Sequence, residues 1–599
     1  MRSQASASPA QAVRLVRSLR SERFQKYHAS FNTPHRAGLA MVIGASLMYV
    51  VLVGLQLNRP LMYDDANFAL AARAVAETGL PYGNQGWMSE RGDFSQREQW
   101  ALWHPPLYVY LEGVLAHVGG WTPPVLRIPG LLGGLISAVL TYRLAADLTR
   151  GPPAMRQVAA SAAASLVLLC PLAVQSALVL DIDFPLLLPL TLLFLWLYLR
   201  LESTRARWLW LAPLFALMLW AKMTNPLPLI VVVAIWQMLR GHLLRAGRHL
   251  VGIGVLGVAL FGVSWLLVGR WLGFPLDMPF GVNLVQWQDS AEVARYAYTS
   301  PGAFIEGLQP TVLWLGPGLT ALGLAGVAVR TAYLARRWRF AAADLLIGLL
   351  AVFVLGYVNK YAGWFPKYQV SLAPLLACLA APLVAHAWCT RPRLSLASGL
   401  LALGFGAVFS LGMVRDDWAL RRTWAIEPTA GAVLLGGLVC AVLLAALVCG
   451  VLAGVRPGAP ALAATAVLAG VSLGWSLGLN LYQASASYQT DYWYGTTGTL
   501  EAAQWVDAHL APNDTYAAAK EVAIRSRDQR YVDQDNLVYF LNAGRGFDGT
   551  WAGEPLRALV TWQREPYTAA VLDRAFVSKG FRQVERFGDY VIYVPGPGS

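Results

Sequence analysis

Apolar runs of about twenty residues recur along most of the chain, and short polar segments separate them. A helix needs about 20 apolar residues to cross a bilayer, where it must satisfy its own backbone hydrogen bonds. The pattern therefore predicts a mainly α-helical, polytopic membrane protein. About thirteen transmembrane helices are expected, near residues 37–57, 125–148, 157–175, 184–201, 207–223, 226–240, 249–268, 311–329, 341–358, 368–389, 394–414, 429–453 and 460–481.

The pattern changes after residue 485, where the long apolar runs end. The stretch "LEAAQWVDAHL" has the spacing of an amphipathic helix. The stretches "TYAAAKEVAIRS", "RALVTW" and "FRQVERFGDYVIYVP" are typical of short strands around a second helix near 566–579. We therefore expect a membrane-embedded domain at 37–485, followed by a small soluble α/β domain at 486–599.

Basic residues divide the loops into two groups. Residues 1–36 form a basic segment whose "AVRLVRSLRSERFQKY" is compatible with a helix on an anionic membrane surface or with a solvated tail. The other basic loops are "RGPPAMR", "RLESTRAR", "LRGHLLRAGRH", "RTAYLARRWR" and "TRPR". Because cytoplasmic loops carry most of the Arg and Lys, these segments are expected inside. The C-terminal domain and the longer loops are then extracytoplasmic, namely 58–124, 269–310, 359–367 and 415–428.

Composition narrows the class of protein. A chain that is 56% hydrophobic and 14% charged is not an ordinary soluble domain. Its net charge of +13 comes largely from Arg in the short loops, so it indicates membrane orientation, and no nucleic-acid partner is expected. The Cys residues lie in or beside apolar runs without metal-ligand spacing, which argues against a disulfide framework. The richness in Ala, Arg and Gly is typical of a GC-rich bacterium, so a bacterial inner membrane is the expected location.

The segment "LMYDDANFALAARAVAETG", residues 61–79, places Asp64 and Asp65 just beyond the first apolar run. The residues that follow have helical spacing and end at a Gly. The pair therefore lies at a helix N-terminus, where the helix dipole stabilises carboxylates. Both acids could simply cap this helix. One carboxylate is enough for capping, however, and a pair at a membrane boundary is costly unless it is solvated, partnered or used.

The same loop contains "EQWALWHPPLYVYLEGVLAHVGG", in which His104 precedes two prolines and an amphipathic aromatic segment. The segment is too short and too interrupted for a span, and it is expected at the membrane interface, where Trp and Tyr are favoured. The prolines stiffen the chain and fix where His104 points. A lone His at this position is equally compatible with a residue that only faces lipid headgroups.

Together these motifs resemble those of the GT-C glycosyltransferases. The shared features are an acidic pair after the first span, an HPPLY-type sequence in the same loop, and "LRIPGLLGGLISAVLTYRLAADL" as the next span. Further similar segments are "LVLDIDFPLLLPLTLLFLWLYL", "LMLWAKMTNPLPLIVV" and "WFPKYQVSLAPLLACLAAPLV". The most similar branch contains the protein O-mannosyltransferases, the lipid A aminoarabinose transferase and the rhizobial lipopolysaccharide galacturonosyltransferases.

The resemblance implies an inverting glycosyltransferase that takes a sugar from a polyprenyl-phosphate donor and passes it to a hydroxyl of an extracytoplasmic acceptor. That acceptor could be a cell-envelope glycan, lipid A or lipopolysaccharide, or a protein. The resemblance also implies that Asp64 is the general base and that Asp65 orients the acceptor or helps to hold the site. A base within reach of the hydroxyl, and negative charge beside an oxocarbenium-like transition state, agree with this chemistry.

A lipid phosphate that leaves should meet cationic or hydrogen-bonding groups near the membrane surface. The candidates near external span ends are His104, Lys222, Lys360, Lys367 and Tyr368. Snorkelling from helix ends would explain Lys222, Lys367 and Tyr368 without any ligand. In the aminoarabinose branch an Arg follows the acidic pair and a Lys precedes the prolines. Here Asn67 and His104 stand at those positions, so the same substrate does not follow from the resemblance.

Asp181 and Asp183 lie between the third and fourth predicted spans, on the external side. With Asn67 and Tyr108, they are candidates for binding the sugar or the acceptor. The two aspartates could also contribute to a divalent metal site, because hard cations prefer carboxylate oxygens, or they could cap the next helix. No other cofactor is indicated.

A transporter or flippase of lipid-linked envelope precursors is the alternative function, and a catalytically inactive scaffold is a third. Transporters more often carry ionisable residues midway along several helices and broken helices in paired halves. In this chain the polar residues cluster in the external loops, and a soluble domain is appended. The sequence therefore favours the enzyme, whose partners would be the lipid-linked donor, the acceptor and membrane lipids.

Overall fold

The structure is a computed structural model in which the following residues are described: 36–59, 61, 64–82, 100–102, 104–201, 207–277, 280, 308, 311–357, 367–390, 395, 397, 399–404, 406–407, 459–486, 497–526, 530–542, 547–551, 553–563 and 566–596. The basic segment before residue 36, Lys360 and the predicted span at 429–453 lie outside this set. The backbone of Asp64 is described, but its side chain is not.

Long apolar helices make up the membrane-embedded domain. Within the described residues, seven are long and apolar enough to cross a bilayer: Arg36–Gly54, Pro123–Leu148, Asp183–Arg200, Leu243–Leu272, Pro317–Arg337, Lys367–Thr390 and Ala461–Leu481. Shorter apolar helices at Pro153–Leu169, Arg207–Ala221, Pro226–Leu239 and Ala342–Gly356 coincide with four more predicted spans. The prediction of a mainly helical polytopic protein is therefore confirmed. Of the predicted span at 394–414, the described residues 399–404 are helical.

In chain order the helices of this domain are α1 (Arg36–Gly54), α2 (Asp64–Thr78), α3 (Leu107–Gly119), α4 (Pro123–Leu126), α5 (Ile128–Leu148), α6 (Pro153–Leu169), α7 (Pro171–Ser176), α8 (Leu188–Arg200), α9 (Arg207–Ala221), α10 (Pro226–Leu239), α11 (Leu243–His249), α12 (Leu256–Leu272), α13 (Pro317–Arg337), α14 (Ala342–Tyr357), α15 (Leu372–Thr390) and α16 (Ala459–Ala486). A π-helical turn, Asp183–Leu187, leads into α8, and another, Leu250–Val255, joins α11 to α12. A 3₁₀ turn at Lys367–Gln369 precedes α15.

Apolar side chains remain exposed on the outer faces of these helices. Leu47 of α1 is 62% exposed, and Val263 and Leu267 of α12 are 58% and 66% exposed. A soluble protein rarely leaves such surfaces uncovered, whereas lipid tails cover them at no cost. These faces of α1 and α12 are thus suited to contact with lipid.

Small residues allow α5 to lie close to its neighbours. A Cβ atom on Gly130 would collide with the backbone carbonyl of Ala177, and one on Gly133 would collide with the backbone of Pro185. Membrane helices pack through such small residues because there is little hydrophobic gain in contacting another helix rather than lipid. The start of α5 is therefore pressed against α7 and the turn before α8, which is the region that carries Asp181 and Asp183.

Helices α2 and α3 lie together at one end of the helical domain. We call this end of the domain the loop face. The Phe68 and Tyr108 rings meet edge to face, with 5.3 Å between their centroids. Gly113 of α3 lies directly against Val75 of α2, with no room for a side chain. At 13 residues, or about 20 Å, α3 is too short to cross a bilayer. This agrees with the interfacial position expected from its sequence.

The C-terminal domain is a sheet with helices on both faces. Its elements are α17 (Thr499–His509), β1 (Thr515–Ala518), α18 (Lys520–Ala523), β2 (Arg530–Asp533), α19 (Gln534–Asn542), β3 (Thr550–Trp551), β4 (Glu554–Trp562), α20 (Pro566–Val577), β5 (Phe581–Phe587) and β6 (Tyr590–Pro595). The strand order is β2-β1-β4-β6-β5, with β3 paired to β4. β1 is parallel to β2 and β4, whereas β6 is antiparallel to β4 and β5.

The small α/β domain predicted from the sequence is confirmed. One segment that was predicted as a strand is a strand over only part of its length. The stretch "TYAAAKEVAIRS" forms a strand only at Thr515–Ala518, and a helical turn, α18, follows it. The strand ends there because the chain turns away from the sheet to connect to the parallel strand β2. Strand β2 and helix α19 were not anticipated, because their polar residues mask the periodicity.

The C-terminal domain rests on helix α2. Arg73 of α2 donates a hydrogen bond from Nη1 to the backbone carbonyl of Ser526, at 2.9 Å. Leu70 of the same helix packs against the core on the face of the sheet that carries α17 and α18. The soluble domain is thus attached to the loop face rather than held only by its connection to α16.

The close approach of α5 to its neighbours gives a first prediction. Gly130→Ala adds a methyl group where the carbonyl of Ala177 already lies, so overpacking is expected to cost about 1–3 kcal/mol of stability. Gly262→Ala is the matched control, because nothing lies within 4 Å of the position its Cβ would take. Thermal unfolding in detergent should show a lower midpoint for the first variant only. Equal midpoints would contradict the packing described for α5.

Candidate active site

A buried ion pair joins the start of α2 to the start of α5. Arg127, between α4 and α5, donates from Nη2 to Oδ2 of Asp65 at 3.0 Å. The other carboxylate oxygen, Oδ1, accepts a hydrogen bond from the backbone N–H of Leu180 at 2.9 Å. The Arg127 side chain is 0% exposed and that of Asp65 is 9% exposed. Asp65 therefore ties α2 to α5 and to the segment that leads to Asp181.

Arg127 also binds three backbone carbonyls. Its Nε donates to Leu178 at 2.7 Å, and its Nη1 donates to Leu57, at 2.8 Å, and to Arg59. These acceptors lie beyond the end of α1 and after α7, so one guanidinium connects four parts of the loop face. A second buried arginine, Arg59, donates to the Gln175 side chain at 2.9 Å.

The sequence did not single out Arg127 or Arg59, although a signal was present. Both lie at the end of a span on the side opposite the basic loops. Cations are scarce on that side in a membrane protein, and one found there needs a buried partner or a ligand. Burial raises the pKa of Asp65, whereas the charges of Arg127 and Arg59 oppose that shift. Because both oxygens of Asp65 already bind donors of the chain, its geometry suits a residue that holds the site.

Asp64, the predicted base, is the first residue of α2 and directly precedes this anchored carboxylate. Its side chain lies outside the described part of the chain. Its backbone position follows from the contacts of its neighbour Asp65, which fix the first turn of α2. The assignment of Asp64 as general base remains a prediction.

A second cluster gathers the residues proposed from the sequence for the donor phosphate and the sugar. Lys222, just after α9, pairs with Asp183 at 2.7 Å, and Lys367, before α15, pairs with Asp181 at 2.6 Å. The ring of Tyr368 lies beneath both ammonium groups, with Nζ of Lys222 at 4.4 Å and Nζ of Lys367 at 5.1 Å from its centroid. We call these five residues the lysine cluster.

Asn225, which the sequence did not indicate, belongs beside the lysine cluster. Its Nδ2 donates to the second oxygen of Asp183 at 3.1 Å. The segment "KMTNP" places Lys222 and Asn225 three residues apart in the turn between α9 and α10, which is the signal that could have found Asn225. The charged side chains of the lysine cluster are largely buried, with exposures between 5% and 12%.

The lysine–aspartate pairs in the lysine cluster determine the pKa of Asp181. Burial alone would raise the pKa of Asp181, but the ammonium groups of Lys367 and Lys222 outweigh burial and hold it below the ordinary value. Asp181 and Asp183 thus bind lysines rather than serving only as helix caps. Within the described residues, no three His, Cys, Asp or Glu side chains lie close enough together to hold a metal ion.

Helix α3 lies between the ion pair and the lysine cluster. Tyr108 is buried, and burial raises the pKa of its hydroxyl, with smaller contributions from the charges of Glu112, Asp181 and Asp65. Glu112, one turn further along α3, faces Tyr108 and is completely buried. Burial raises the pKa of Glu112 to about 8; Tyr108 and Arg127 oppose this rise, and the charge of Asp65 adds to it. The glutamate is therefore mostly neutral at pH 7.

Glu112 was not proposed from the sequence, although an acid inside the apolar "LYVYLEGVLAHVGG" is the kind of signal that marks a functional or partnered residue. The remaining predicted residues lie on the neighbouring elements. His104 is half-buried in the turn before α3, and Asn67 is buried on α2. Among the described contacts, Asn67 belongs to neither the ion pair nor the lysine cluster, and Lys360 lies outside the described residues.

Comparison with solved structures shows which fold the chain has. Two solved structures resemble nearly the whole chain: ArnT from Cupriavidus metallidurans bound to undecaprenyl phosphate, and the same protein in the apo state. The first has 16% identity and a TM-score of 0.56, and the similarity covers 93% of this chain and 99% of that one. The second has 17% identity and a TM-score of 0.52, with coverage of 94% and 100%. This chain has the GT-C fold.

A family model agrees with this GT-C assignment. Residues 103–265 match the model described as dolichyl-phosphate-mannose-protein mannosyltransferase. The matched segment runs from the turn before α3 into α12, and it includes Arg127, Asp181, Asp183 and Lys222. No curated protein sequence matches the chain. The resemblance to GT-C proteins drawn from the sequence is confirmed.

The Asp65–Arg127 pair gives a prediction about stability. Arg127→Met removes the cation and leaves a buried carboxylate without compensation, which typically costs about 3–5 kcal/mol. The double variant Asp65→Asn with Arg127→Met removes both charges and should recover much of that loss. Thermal unfolding of the single and double variants in detergent measures the coupling. If the two substitutions act additively, the pair does not anchor the loop face.

The buried Glu112 gives a prediction about pH. Its raised pKa means that the folded protein holds a proton that the unfolded chain loses near pH 4.5. Stability should therefore fall as the pH rises from about 5 to about 8, because each unit of pKa difference is worth about 1.4 kcal/mol. Glu112→Gln cannot ionise and should have a flatter profile of unfolding midpoint against pH. Parallel profiles for the two proteins would show that Glu112 does not carry the buried proton.

Proposed function

We propose that this protein is an inverting glycosyltransferase that moves a sugar from a polyprenyl-phosphate-linked donor to a hydroxyl of an extracytoplasmic acceptor. The lysine cluster is the observation that carries the proposal, because it gathers two lysines and one tyrosine into a buried site at the loop face. The similarity to ArnT, whose structure contains undecaprenyl phosphate, and to the mannosyltransferase family model supports this class of reaction.

The proposed reaction needs a base and an acceptor for negative charge. Asp64 takes the proton from the acceptor hydroxyl as the hydroxyl oxygen forms a bond to the anomeric carbon of the sugar. The bond from that carbon to the phosphate oxygen breaks, and the electron pair leaves with the polyprenyl phosphate. Attack from the face opposite the phosphate inverts the configuration. No covalent sugar–enzyme intermediate is required.

Lys222 and Lys367 are proposed to meet the phosphate. Each is paired with an aspartate in the structure, so a bound phosphate would compete with Asp183 and Asp181 for the two ammonium groups, which would offset part of its negative charge. The Tyr368 ring keeps both lysines on one side of the site through cation–π contacts. Asp181, Asp183 and Asn225 would then be available to hydrogen-bond the sugar hydroxyls.

An apolar groove beside the lysine cluster suits the polyprenyl chain. It has a volume of about 430 Å³ and runs between α3, α5 and the start of α8. Its lining includes Leu111, Leu132, Ile136 and Pro185, and the last of these is two residues from Asp183. A lipid tail in this groove would place its phosphate near Lys222. The groove therefore connects the membrane to the polar site.

The proposed orientation places the loop face outside a bacterial inner membrane and the N-terminus in the cytoplasm. Basic residues gather at the opposite end of the helices, where Asp147 at the end of α5 pairs with Arg156 of α6 and Arg200 of α8. Cytoplasmic ends of spans are enriched in arginine, which supports this choice. The C-terminal domain on α2 would then be extracytoplasmic.

The decisive experiment replaces the proposed base. Asp64→Asn keeps the shape of the side chain but cannot accept the proton, so release of polyprenyl phosphate should fall by about 10²–10⁴-fold. Purified protein would be supplied with a panel of polyprenyl-phosphate sugars, and Asp507→Asn on the surface helix α17 serves as control. Turnover equal to that of the unaltered protein would reject Asp64 as the base.

A second experiment tests the phosphate contact. Lys222→Met combined with Asp183→Asn removes a matched pair of charges, which avoids leaving either one unpaired in the interior. Donor affinity should weaken by at least about tenfold, because one charge-assisted contact is lost. Lys579→Met, at the surface of the C-terminal domain, is the control. Unchanged donor affinity with lipid moved across vesicles would instead favour the transporter.

A further inference from the structure

A group of basic and aromatic residues lies at the end of the helices opposite the loop face, away from the proposed reaction. We call it the basic patch; it consists of Arg150, which follows α5, and of Tyr333, Arg337 and Trp338 at the end of α13. The Tyr333 hydroxyl accepts a hydrogen bond from Nη1 of Arg337 at 3.4 Å, and Arg150 also hydrogen-bonds to it. Two guanidinium groups from separate helices therefore meet at one phenol.

The positive charge of the basic patch is not offset by a carboxylate. Arg150 and Arg337 are both exposed, and among the described residues neither forms an ion pair. Asp147, the acid nearest to Arg150 in the chain, is already bound to Arg156 and Arg200. The two guanidinium groups are thus able to share an anion from outside the protein.

Arg330 fixes the turn on which the basic patch is built. Its guanidinium binds both carboxylate oxygens of Asp344 in α14, at 2.8 and 2.6 Å, and the backbone carbonyl of Arg339 at 2.7 Å. It also lies over the Tyr333 ring, 5.1 Å from the centroid, and Arg337 lies 5.2 Å from the same centroid. The patch is therefore held in place before any ligand arrives, which lowers the entropy cost of binding.

Trp338 occupies a backbone position that favours glycine. Its φ of 46° is left-handed, and its N–H donates to the carbonyl of Leu334 at 2.7 Å, where α13 ends. Glycine is the usual residue at such a helix end, because a Cβ atom is strained there. The indole is 76% exposed, so packing inside the protein does not compensate this strain. At the end of a membrane span, an exposed indole is suited to contact with lipid headgroups.

We propose that the basic patch binds the phosphate of an anionic phospholipid in the leaflet opposite the loop face, with Trp338 beside the lipid. Arg150 and Arg337 would hold the phosphate through charge-assisted hydrogen bonds. A zwitterionic lipid also carries a phosphate, but the arginines would repel the cationic part of its headgroup. Because the two arginines follow different helices, the bound lipid links the ends of α5 and α13.

The test titrates lipids into the purified full-length protein in detergent and counts the retained lipids by native mass spectrometry. The probes are phosphatidylglycerol, phosphatidylcholine with the same acyl chains, and inorganic phosphate. The unaltered protein should retain one phosphatidylglycerol at least about fivefold more tightly than phosphatidylcholine. Arg337→Gln should remove most of that preference, and Arg337→Lys should retain part of it. Arg248→Gln, which removes another exposed charge at the same end of the helices, is the matched control.

A second variant separates contact with lipid from a structural role of Trp338. Glycine adopts the left-handed backbone without strain, so Trp338→Gly should not lower the unfolding midpoint in lipid-free detergent. Its affinity for phosphatidylglycerol should nevertheless fall by at least about threefold. A lower midpoint with unchanged lipid affinity would show that the indole serves the turn and not a lipid.

Three further results would overturn the inference. Equal affinities for the two lipids would remove the role of the headgroup charge. Equal losses in Arg337→Gln and Arg248→Gln would show that only the overall charge of this end of the protein matters. Displacement of phosphatidylglycerol by an equal concentration of inorganic phosphate would identify a site for a free anion. Unfolding midpoints of all variants, recorded on the same samples, confirm that each protein is folded.

Discussion

The ion pair between Asp65 and Arg127 is the interaction on which the loop face depends. One guanidinium satisfies a carboxylate and three backbone carbonyls, so it fixes the end of α1, the start of α2, the start of α5 and the segment after α7 relative to one another. Two buried charges are tolerated there because each is matched and hydrogen-bonded. Asp64 and Asp181 each lie beside a residue that this pair holds, and Lys222 and Lys367 are connected to the same region through Asp183 and Asp181.

In the lysine cluster, too, each buried charge is matched by an opposite charge. Its ammonium and carboxylate groups balance in number, so the site can be buried at the membrane boundary. A phosphate that enters would add negative charge, which the two ammonium groups would then share with the aspartates. Between the two charged groups, Glu112 remains protonated near neutral pH, which avoids a further uncompensated carboxylate beside Asp65. The proton on Glu112 thus relieves the repulsion from Asp65.

The C-terminal domain packs directly against the loop face. Arg73 and Leu70 of α2 dock it, and the helix that they belong to begins at the proposed base. The chain that follows β1 leaves the sheet as α18, and Ser526 just beyond this turn contacts Arg73 of α2. The soluble domain thus contributes Arg525 to the lining of a cavity beside α2, and α2 in turn contributes Leu70 to the packing around the core of that domain.

The sequence by itself determined the membrane-embedded helical class, the appended α/β domain and the residue types of the site, because hydrophobic length and periodicity are local properties of the chain. It also identified Lys222, Lys367, Tyr368, Asp181 and Asp183 as candidates. Only the tertiary structure decided that these five meet, because they come from segments up to about 190 residues apart. Arg127, Arg59, Glu112 and Asn225 escaped sequence reasoning, since a buried charge is distinguished from a surface one by its partner, and partners are set by folding.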